Sequence, residues 1–474
     1  MTKLDFLCLT PFLIIASAPI IMMLTITIHR NLKVIYGFSV FMLLMAFLSL
    51  FLISPQAPYN IEPLLIIDSY GILFLGIIYF SGILITILSY EYLSKQGGER
   101  EEYFIILYIA VLGASILVVA NHFISFFLGL ETLSISLYVL IAYLKSRNYC
   151  IEAGVKFLVI ASVATAFLLF GMGLVYAETG KMNFQDIALA TGKSNVLSPL
   201  LLTGFGLIIT GIGFKLALVP FHMWTPDIYQ GAPAPVTTFI ATISKGAVMA
   251  LALRLFIDIR GFDNSTLIII ISGISILSMF TGNLLALKQT NLKRLLAYSS
   301  IAHLGYLLIT LLAGKTNGVE AAIFYLVAYI ITTLGAFGVI SILSVCERDA
   351  DNIEDVKGLF WRNPWIASVL TLALLSLAGI PITAGFMSKF YLVMAGLKSG
   401  LWLLAFSLVI NSVISLYYYL RVIKTMFSSA ETKEIIKVPF IANIVLIIIV
   451  SGIFFLGIFP SFMTEFIYTF SSFR

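Results

Sequence analysis

Three lysines and one glutamate stand inside long apolar runs of this chain. Lys215 and Lys245 fall within Gly211–Lys245, which reads GIGFKLALVPFHMWTPDIYQGAPAPVTTFIATISK. An apolar helix carries Lys215, Pro220 and Pro226 interrupt it, and a second apolar helix carries Lys245. Lys389 follows another interruption, in LALLSLAGIPITAGFMSKFYLVMAG, where Gly379, Pro381 and Gly385 break the helix. Glu131, in FFLGLETLSISLYVL, is the acid placed well within an apolar run. An ionised side chain in hydrocarbon is costly, so such residues turn toward a bundle interior or water. A helix broken at membrane depth is tolerated where it lines protein or a wet cavity. Buried lysines beside broken helices predict a route for a cation or a proton.

Each residue also has an ordinary reading. A lysine near a helix end can snorkel to the headgroups. For Lys389, whose helix is broken, that reading competes directly. Around Glu131, Lys215 and Lys245 the apolar residues extend far on both sides, which argues against it. His303, in AYSSIAHLGYLL, is a lone helical histidine, open to a role as a satisfied core residue or as a proton-transfer group. His222 lies in the Pro220–Pro226 break, where a structural hydrogen bond and a proton role are both open. His29 and His122 fall at helix ends and read as interfacial residues.

The elements that must position these groups follow from composition. Of 474 residues, 60% are hydrophobic and 11% are charged. Soluble domains carry about twice that charged share. Continuous apolar runs of about 20 residues exclude a barrel, whose strands alternate. The sequence predicts an all-α polytopic membrane protein. Its runs fall near 4–28, 33–53, 64–90, 103–120, 122–143, 155–177, 200–228, 235–259, 266–287, 293–313, 319–345, 363–396, 401–427 and 437–462, numbered helices 1 to 14. The first run lacks a cleavage motif and reads as a retained helix. The longer polar loops, 91–102, 178–199, 346–362 and 428–436, are too short for a soluble domain; 184–189 reads as a short interfacial turn. Loops after odd-numbered helices carry about twice the basic residues of the others, which places them in the cytoplasm and both termini on the other side.

Interrupted helices in corresponding places point to inverted repeats with a route between them. The expected division is helices 1–3 over 1–102, a five-helix repeat of helices 4–8 over 103–260, a second of helices 9–13 over 261–427, and helix 14 within 428–474. Broken helices 7 and 12 then correspond. Setting 127–142 against 295–310 aligns Tyr138 with Tyr306, but no acid in the second segment matches Glu131.

Cys8, Cys150 and Cys346 are isolated, with no CxxC pair to suggest an iron–sulfur or zinc site. Neither a strand-linked GxGxxG nor a GxxxxGK[ST] loop occurs. The net charge of +5 is spread over loops without a basic run, so nucleic acid is not expected as a partner. No redox centre, nucleotide site or metal site is expected in this chain.

The motifs GLETLSISLYVLIAY, IEAGVKF, FKLALVPFHMWTPDIYQGAPAPVTTFIATISK, LKRLLAYSSIAHLGY and AGIPITAGFMSKF together resemble the antiporter-like subunits of proton-pumping NADH–quinone oxidoreductase, complex I. Related proteins include the multisubunit cation/proton antiporters. Within the family the N-type is most similar. Lys389 stands where the M-type is expected to carry glutamate, and the chain ends without the lateral helix of the L-type. The resemblance implies proton-translocating positions at Glu131, Lys215, Lys245 and Lys389, with His303 on the central water path. It implies partners of the M and K types, the bilayer of the cell inner membrane, and NAD, FMN, iron–sulfur clusters and quinone in other subunits. The alternative is a subunit of a cation/proton antiporter. Carboxylates are common sodium ligands, and Glu131 alone is deep in an apolar run, so proton transfer by lysines is the better-supported reading.

Overall fold

The computed structural model describes residues 2–191, 198–259, 261, 264–345, 348–429, 436 and 438–470. Cys346 and parts of the loops after helices 6, 8, 11 and 13 lie outside them. Among the described residues, twelve helices are long and apolar enough to cross a membrane. Two further expected crossings are shorter: helix 4 is Glu102–Val118, and helix 12 is divided into Pro364–Ala378 and Ala384–Lys398.

Polar caps set where the helices begin. Asn31, Asp68, Ser198, Asn264, Asn291 and Asn363 each accept a backbone N–H of the first turn from a side-chain oxygen. Asp68 corrects the expected start of helix 3. The apolar run 64–90 divides into a strand, Leu65–Ile67, and a helix, Ser69–Ser94. The strand pairs antiparallel with Tyr59–Ile61, and Ile66 N donates to Val119 O at the end of helix 4. Hydropathy cannot separate a strand from a helix that follows it without a polar gap. The turn expected near 184–189 is a short helix, Phe184–Thr191.

Helices 8, 10 and 11 form the centre of the bundle. Helix 8 comprises Ala234–Phe239, a wider turn at Ile240–Ser244 with i→i+5 character, and Lys245–Asp258. Helix 10 is Leu292–Leu312 and helix 11 is Gly314–Leu343. Helices 8 and 10 are buried on nearly every side, and the described side chains of helix 11 mostly so. Around them stand helix 1 (Lys3–Ile28), helix 2 (Leu32–Ile53), helix 5 (Phe123–Ile141), helix 6 (Asn148–Thr179), helix 9 (Ser265–Leu287), helix 13 (Trp402–Met426) and helix 14 (Phe440–Ile458). Several of these turn Leu, Ile, Val and Phe outward, as a lipid or subunit contact requires.

Helix 7 is broken as expected, into Pro199–Leu216 and Trp224–Gly231. Its first half ends in the same hydrogen-bond pattern as the first half of helix 12. Ala217 N donates to Phe214 O and Leu218 N to Gly213 O; Gly379 N donates to Ser376 O and Ile380 N to Leu375 O. The capping residues are left-handed, with φ of 60° at Ala217 and 88° at Gly379. Each closure is a six-to-one cap that ends a helix and turns the chain aside.

Candidate functional site

Lys215 occupies the last turn of the first half of helix 7. Its Nζ donates to Ser134 Oγ on helix 5 at 2.6 Å. The rings of Phe157 and Phe214 stand 5.5 and 5.8 Å from it, close enough for their faces to favour a cation. Trp224, opening the second half of the helix, donates its indole N–H to Phe214 O at 2.9 Å and so ties the two halves at this point. Glu131 lies one turn before Ser134, on the same side of helix 5. It is partly rather than fully buried, and its Oε1 accepts from Thr165 Oγ1 of helix 6 at 2.7 Å. No direct ion pair joins Glu131 to Lys215.

Lys245 is 1% exposed and follows directly on the wide turn of helix 8. Such a turn re-aims the side chains beside it and recurs at functional sites. Lys245 Nζ donates to Ser300 Oγ of helix 10 at 2.7 Å, and the Tyr229 ring lies 5.2 Å away. Ser300 in turn donates to Ala297 O at 2.8 Å, which leaves its oxygen free to accept from the lysine.

His303 stands one turn beyond Ser300. Its Nδ1 is hydrogen-bonded to the Tyr325 hydroxyl and its Nε2 lies 3.5 Å from that of Tyr419, which is itself bonded to Ser299. His303 is thus joined to two buried hydroxyls rather than packed among apolar groups alone.

Lys389 is buried and turns into the break of helix 12. Nζ donates to Ala378 O at 2.8 Å and lies 5.6 Å from the centre of the Tyr306 ring. Ala378 ends the first half-helix, where unsatisfied carbonyls carry the negative end of the helix dipole. A Cβ at Gly379 would come within 3.0 Å of Lys389 Cδ. Glycine there supplies both the backbone angle and the space for the lysine.

The interval between Lys245 and Lys389 holds polar groups that sequence reasoning missed. Asn283 donates to the Tyr306 hydroxyl at 2.9 Å and to Asn411 Oδ1 at 3.0 Å, and accepts from Tyr418 at 2.9 Å. The signal was an asparagine in each of two otherwise apolar runs, helices 9 and 13. The buried hydroxyls of Tyr229 and Tyr329 have no direct partner and lie beside Ser300. Such groups are the places a bridging water satisfies. The result is a row of buried polar residues running from Ser134 and Lys215 to Lys389, centred on the well-buried helices 8 and 10.

Two buried ionic clusters were also missed. Arg254 on helix 8, 2% exposed, makes a bidentate pair with Asp68 at 2.8 Å for each bond. Asp349, 4% exposed, accepts from Tyr92 and Arg147 at 2.7 and 2.9 Å and also from Lys293. Both pairs join residues far apart in sequence, which charge counting along a single run cannot match. Burial would push the Asp349 carboxyl up; the Lys293 ammonium and the bonds from Lys293, Tyr92 and Arg147 outweigh it and hold it below the usual carboxylate range.

Of the remaining histidines, His222 is buried in the connection between the halves of helix 7, with Nδ1 lacking a partner. His122 caps helix 5, its Nδ1 accepting Ile124 N at 3.1 Å, and His29 is exposed. Among the described residues no three His, Cys, Asp or Glu side chains gather as a metal site would require.

The model of the NADH:quinone oxidoreductase/Mrp antiporter transmembrane family matches residues 120–415, and so takes in Glu131, Lys215, Lys245, His303 and Lys389 together. The chain belongs to this family. A curated family member, NADH-quinone oxidoreductase subunit N of Methylococcus capsulatus (strain ATCC 33009 / NCIMB 11132 / Bath), is 43% identical over 455 residues, covering 94% of this chain and 92% of its own. Among solved structures, a chain of respiratory complex I from Thermus thermophilus with bound Aureothin superposes with a TM-score of 0.83 at 29% identity, over 96% of this chain and 98% of that one. A chain of the Mrp complex from Dietzia sp. DQ12-45-1b superposes with a TM-score of 0.88 at 17% identity, over 99% and 97%, and shares the fold.

Proposed function

We propose that this family member is the proton-translocating N-type subunit of the membrane arm of a respiratory NADH–quinone oxidoreductase. The observation that carries the reading is the buried polar row itself, in which each lysine is bonded to an uncharged acceptor: Lys215 to Ser134, Lys245 to Ser300 and Lys389 to Ala378 O. A buried ammonium held by a neutral group keeps its proton less firmly than one locked in an ion pair. Its protonation then responds to charges nearby. Movement of Glu131 toward Lys215 would hold the proton there, and neutralisation of Glu131 would release it toward Lys245. His303 and the Tyr306 hydroxyl, bridged by water, carry it on to Lys389, and Asn283 orients the Tyr306 hydroxyl. A pKa change of one unit corresponds to about 1.4 kcal/mol, so a change of a few units in one group reverses the direction of transfer to the next.

Helices 4–8 and 9–13 act as the two repeats, with the matching caps at Ala217 and Gly379 as their common feature. Electron transfer from NADH to quinone, with its FMN and iron–sulfur clusters, belongs to other subunits, and M-type and K-type subunits flank this chain. Both termini face away from the cytoplasm of a cell inner membrane.

Lys215→Ala in the assembled complex tests the reading, with NADH-driven proton uptake into vesicles measured beside the electron-transfer rate. Loss of pumping in a complex that assembles on a native gel is the expected result. Normal pumping at a normal electron-transfer rate would remove Lys215 from the path.

A further inference from the structure

The side-chain amide of Asn283 faces more acceptors than it has hydrogens. Its Nδ2 lies 2.9 Å from Met279 O, one turn earlier on helix 9, 2.9 Å from the Tyr306 hydroxyl of helix 10 and 3.0 Å from Asn411 Oδ1 of helix 13. An amide nitrogen carries two hydrogens. Neighbouring groups fix how both amides are turned. Tyr418 donates its hydroxyl to Asn283 Oδ1 at 2.9 Å, which leaves Nδ2 toward the three acceptors. Asn411 Nδ2 donates to Ser407 O at 2.9 Å, which leaves its Oδ1 toward Asn283. Turning the Asn283 amide over would set its oxygen against Met279 O and Asn411 Oδ1 with no hydrogen between them. Both asparagines are fully buried, so bulk water does not make up the difference.

The Tyr306 hydroxyl is the acceptor that matters for the row. The Tyr306 ring lies 5.5 Å from the His303 ring on one side and 5.6 Å from Lys389 Nζ on another. Ser412, next to Asn411 on helix 13, stands beside the Tyr306 hydroxyl. Its own hydroxyl is buried without a direct partner, and it lines a cavity of about 370 Å³ together with Lys389. A hydroxyl has one hydrogen and two lone pairs. To pass protons repeatedly it must accept on one side, donate on the other and then turn back. A hydrogen bond from Asn283 that never lets go would oppose the turn.

We propose that Asn411 is a positioning residue for proton transfer to Lys389. With one amide hydrogen of Asn283 held on Met279 O of its own helix, Tyr306 and Asn411 share the other. When that hydrogen lies on Asn411, the Tyr306 hydroxyl is free to turn; when it lies on Tyr306, the hydroxyl is held with its own hydrogen directed away from Asn283. The proposal rests on the reading of the chain as a proton carrier. In the step itself, Tyr306 accepts a proton from water on the His303 side as it gives its own to water on the Lys389 side, and the neutral Lys389 amine takes that proton. One O–H bond forms on Tyr306 as another breaks, and no oxidant or reductant is involved.

The test is Asn411→Leu in the assembled complex, which removes the competing acceptor at nearly the same volume. NADH oxidation coupled to pumping is measured in vesicles in light and heavy water. N411L is expected to slow coupled turnover about threefold or more and to enlarge its solvent isotope effect, because turning of the hydroxyl then limits the rate. Asn411→Asp keeps an acceptor oxygen at the same reach and is expected to restore both. Wild-type turnover and isotope effect in N411L would overturn the proposal. Slow turnover with an unchanged isotope effect, not restored by N411D, would also overturn it, since a purely structural role gives that result. Should N411L fail to assemble, Asn411→Ser, whose oxygen falls short of Asn283, is judged by the same two readouts. Lys245→Ala, measured in parallel, separates the two levels. If it stops pumping while N411L turns over like the wild type, the positioning role is wrong and the carrier reading stands. If Lys245→Ala pumps normally, both fall.

Discussion

Lys215 gives its hydrogen bond to Ser134, 2.6 Å away, and not to Glu131, which lies one helical turn earlier on the same helix and is held by Thr165. The lysine and the carboxylate are neighbours on one side of helix 5 without being a closed ion pair. That leaves the pair room to close and open, which a proton carrier needs and a structural staple does not.

Ser134→Ala follows from this. It leaves Lys215 as a buried ammonium without its acceptor, a loss of about 1–3 kcal/mol. The complex is expected to assemble with a lower melting temperature and a lower proton-to-electron ratio, and Ser134→Thr is expected to recover both. Unchanged pumping in S134A would mean that Lys215 is held functionally by Glu131 or by water.

Gly379→Ala addresses the break in helix 12. The residue has φ of 88°, and its Cβ would meet Lys389 Cδ at 3.0 Å. Backbone strain of this kind costs about 1–3 kcal/mol. G379A is expected to displace Lys389 and to lower pumping and thermal stability together. Ala217→Gly, at the matching cap of helix 7, is expected to leave pumping near normal. The comparison is read from vesicle acidification and thermal denaturation of the purified complex.

The Arg254–Asp68 pair predicts a double-mutant outcome. Removing one partner of a buried pair leaves a charge uncompensated and costs about 3–5 kcal/mol. Arg254→Met and Asp68→Asn are each expected to reduce the assembled complex on native gels. Arg254→Met with Asp68→Leu is expected to recover part of the loss, because no buried charge remains. A double variant that recovers nothing, while Asp68→Asn loses little, would point to the cap that Asp68 gives helix 3, which Asn can supply and Leu cannot, as the larger contribution.

Asp349 makes stability depend on pH. Its carboxyl is held below the ordinary range, so the folded chain binds that proton less readily than the unfolded chain does. The contribution is fully present at neutral pH, begins to fall below about pH 4, the usual aspartate value, and is lost as pH drops through the folded value. The melting temperature of the wild-type complex is expected to fall on acidification more than that of D349N. Parallel curves would show that Asp349 does not set the acid limit.

The sequence by itself determined the class, the number and order of the apolar runs, the two broken helices and the charged residues within them. Those properties are local: a run of about 20 apolar residues has no alternative to a buried or membrane helix, and proline or glycine within one interrupts it wherever it lies. Lys215, Lys245 and Lys389 were legible because a charge in an apolar run is conspicuous. Tertiary structure decided what each one touches. Ser134 and Ser300 look ordinary in sequence, and they and Asn283 become acceptors or links only when helices 5, 7, 8, 9, 10 and 13 are packed together. Asp68 with Arg254, and Asp349 with Lys293, are remote along the chain; burial makes each charge require a partner, and only the packing of the helices chooses which one it meets.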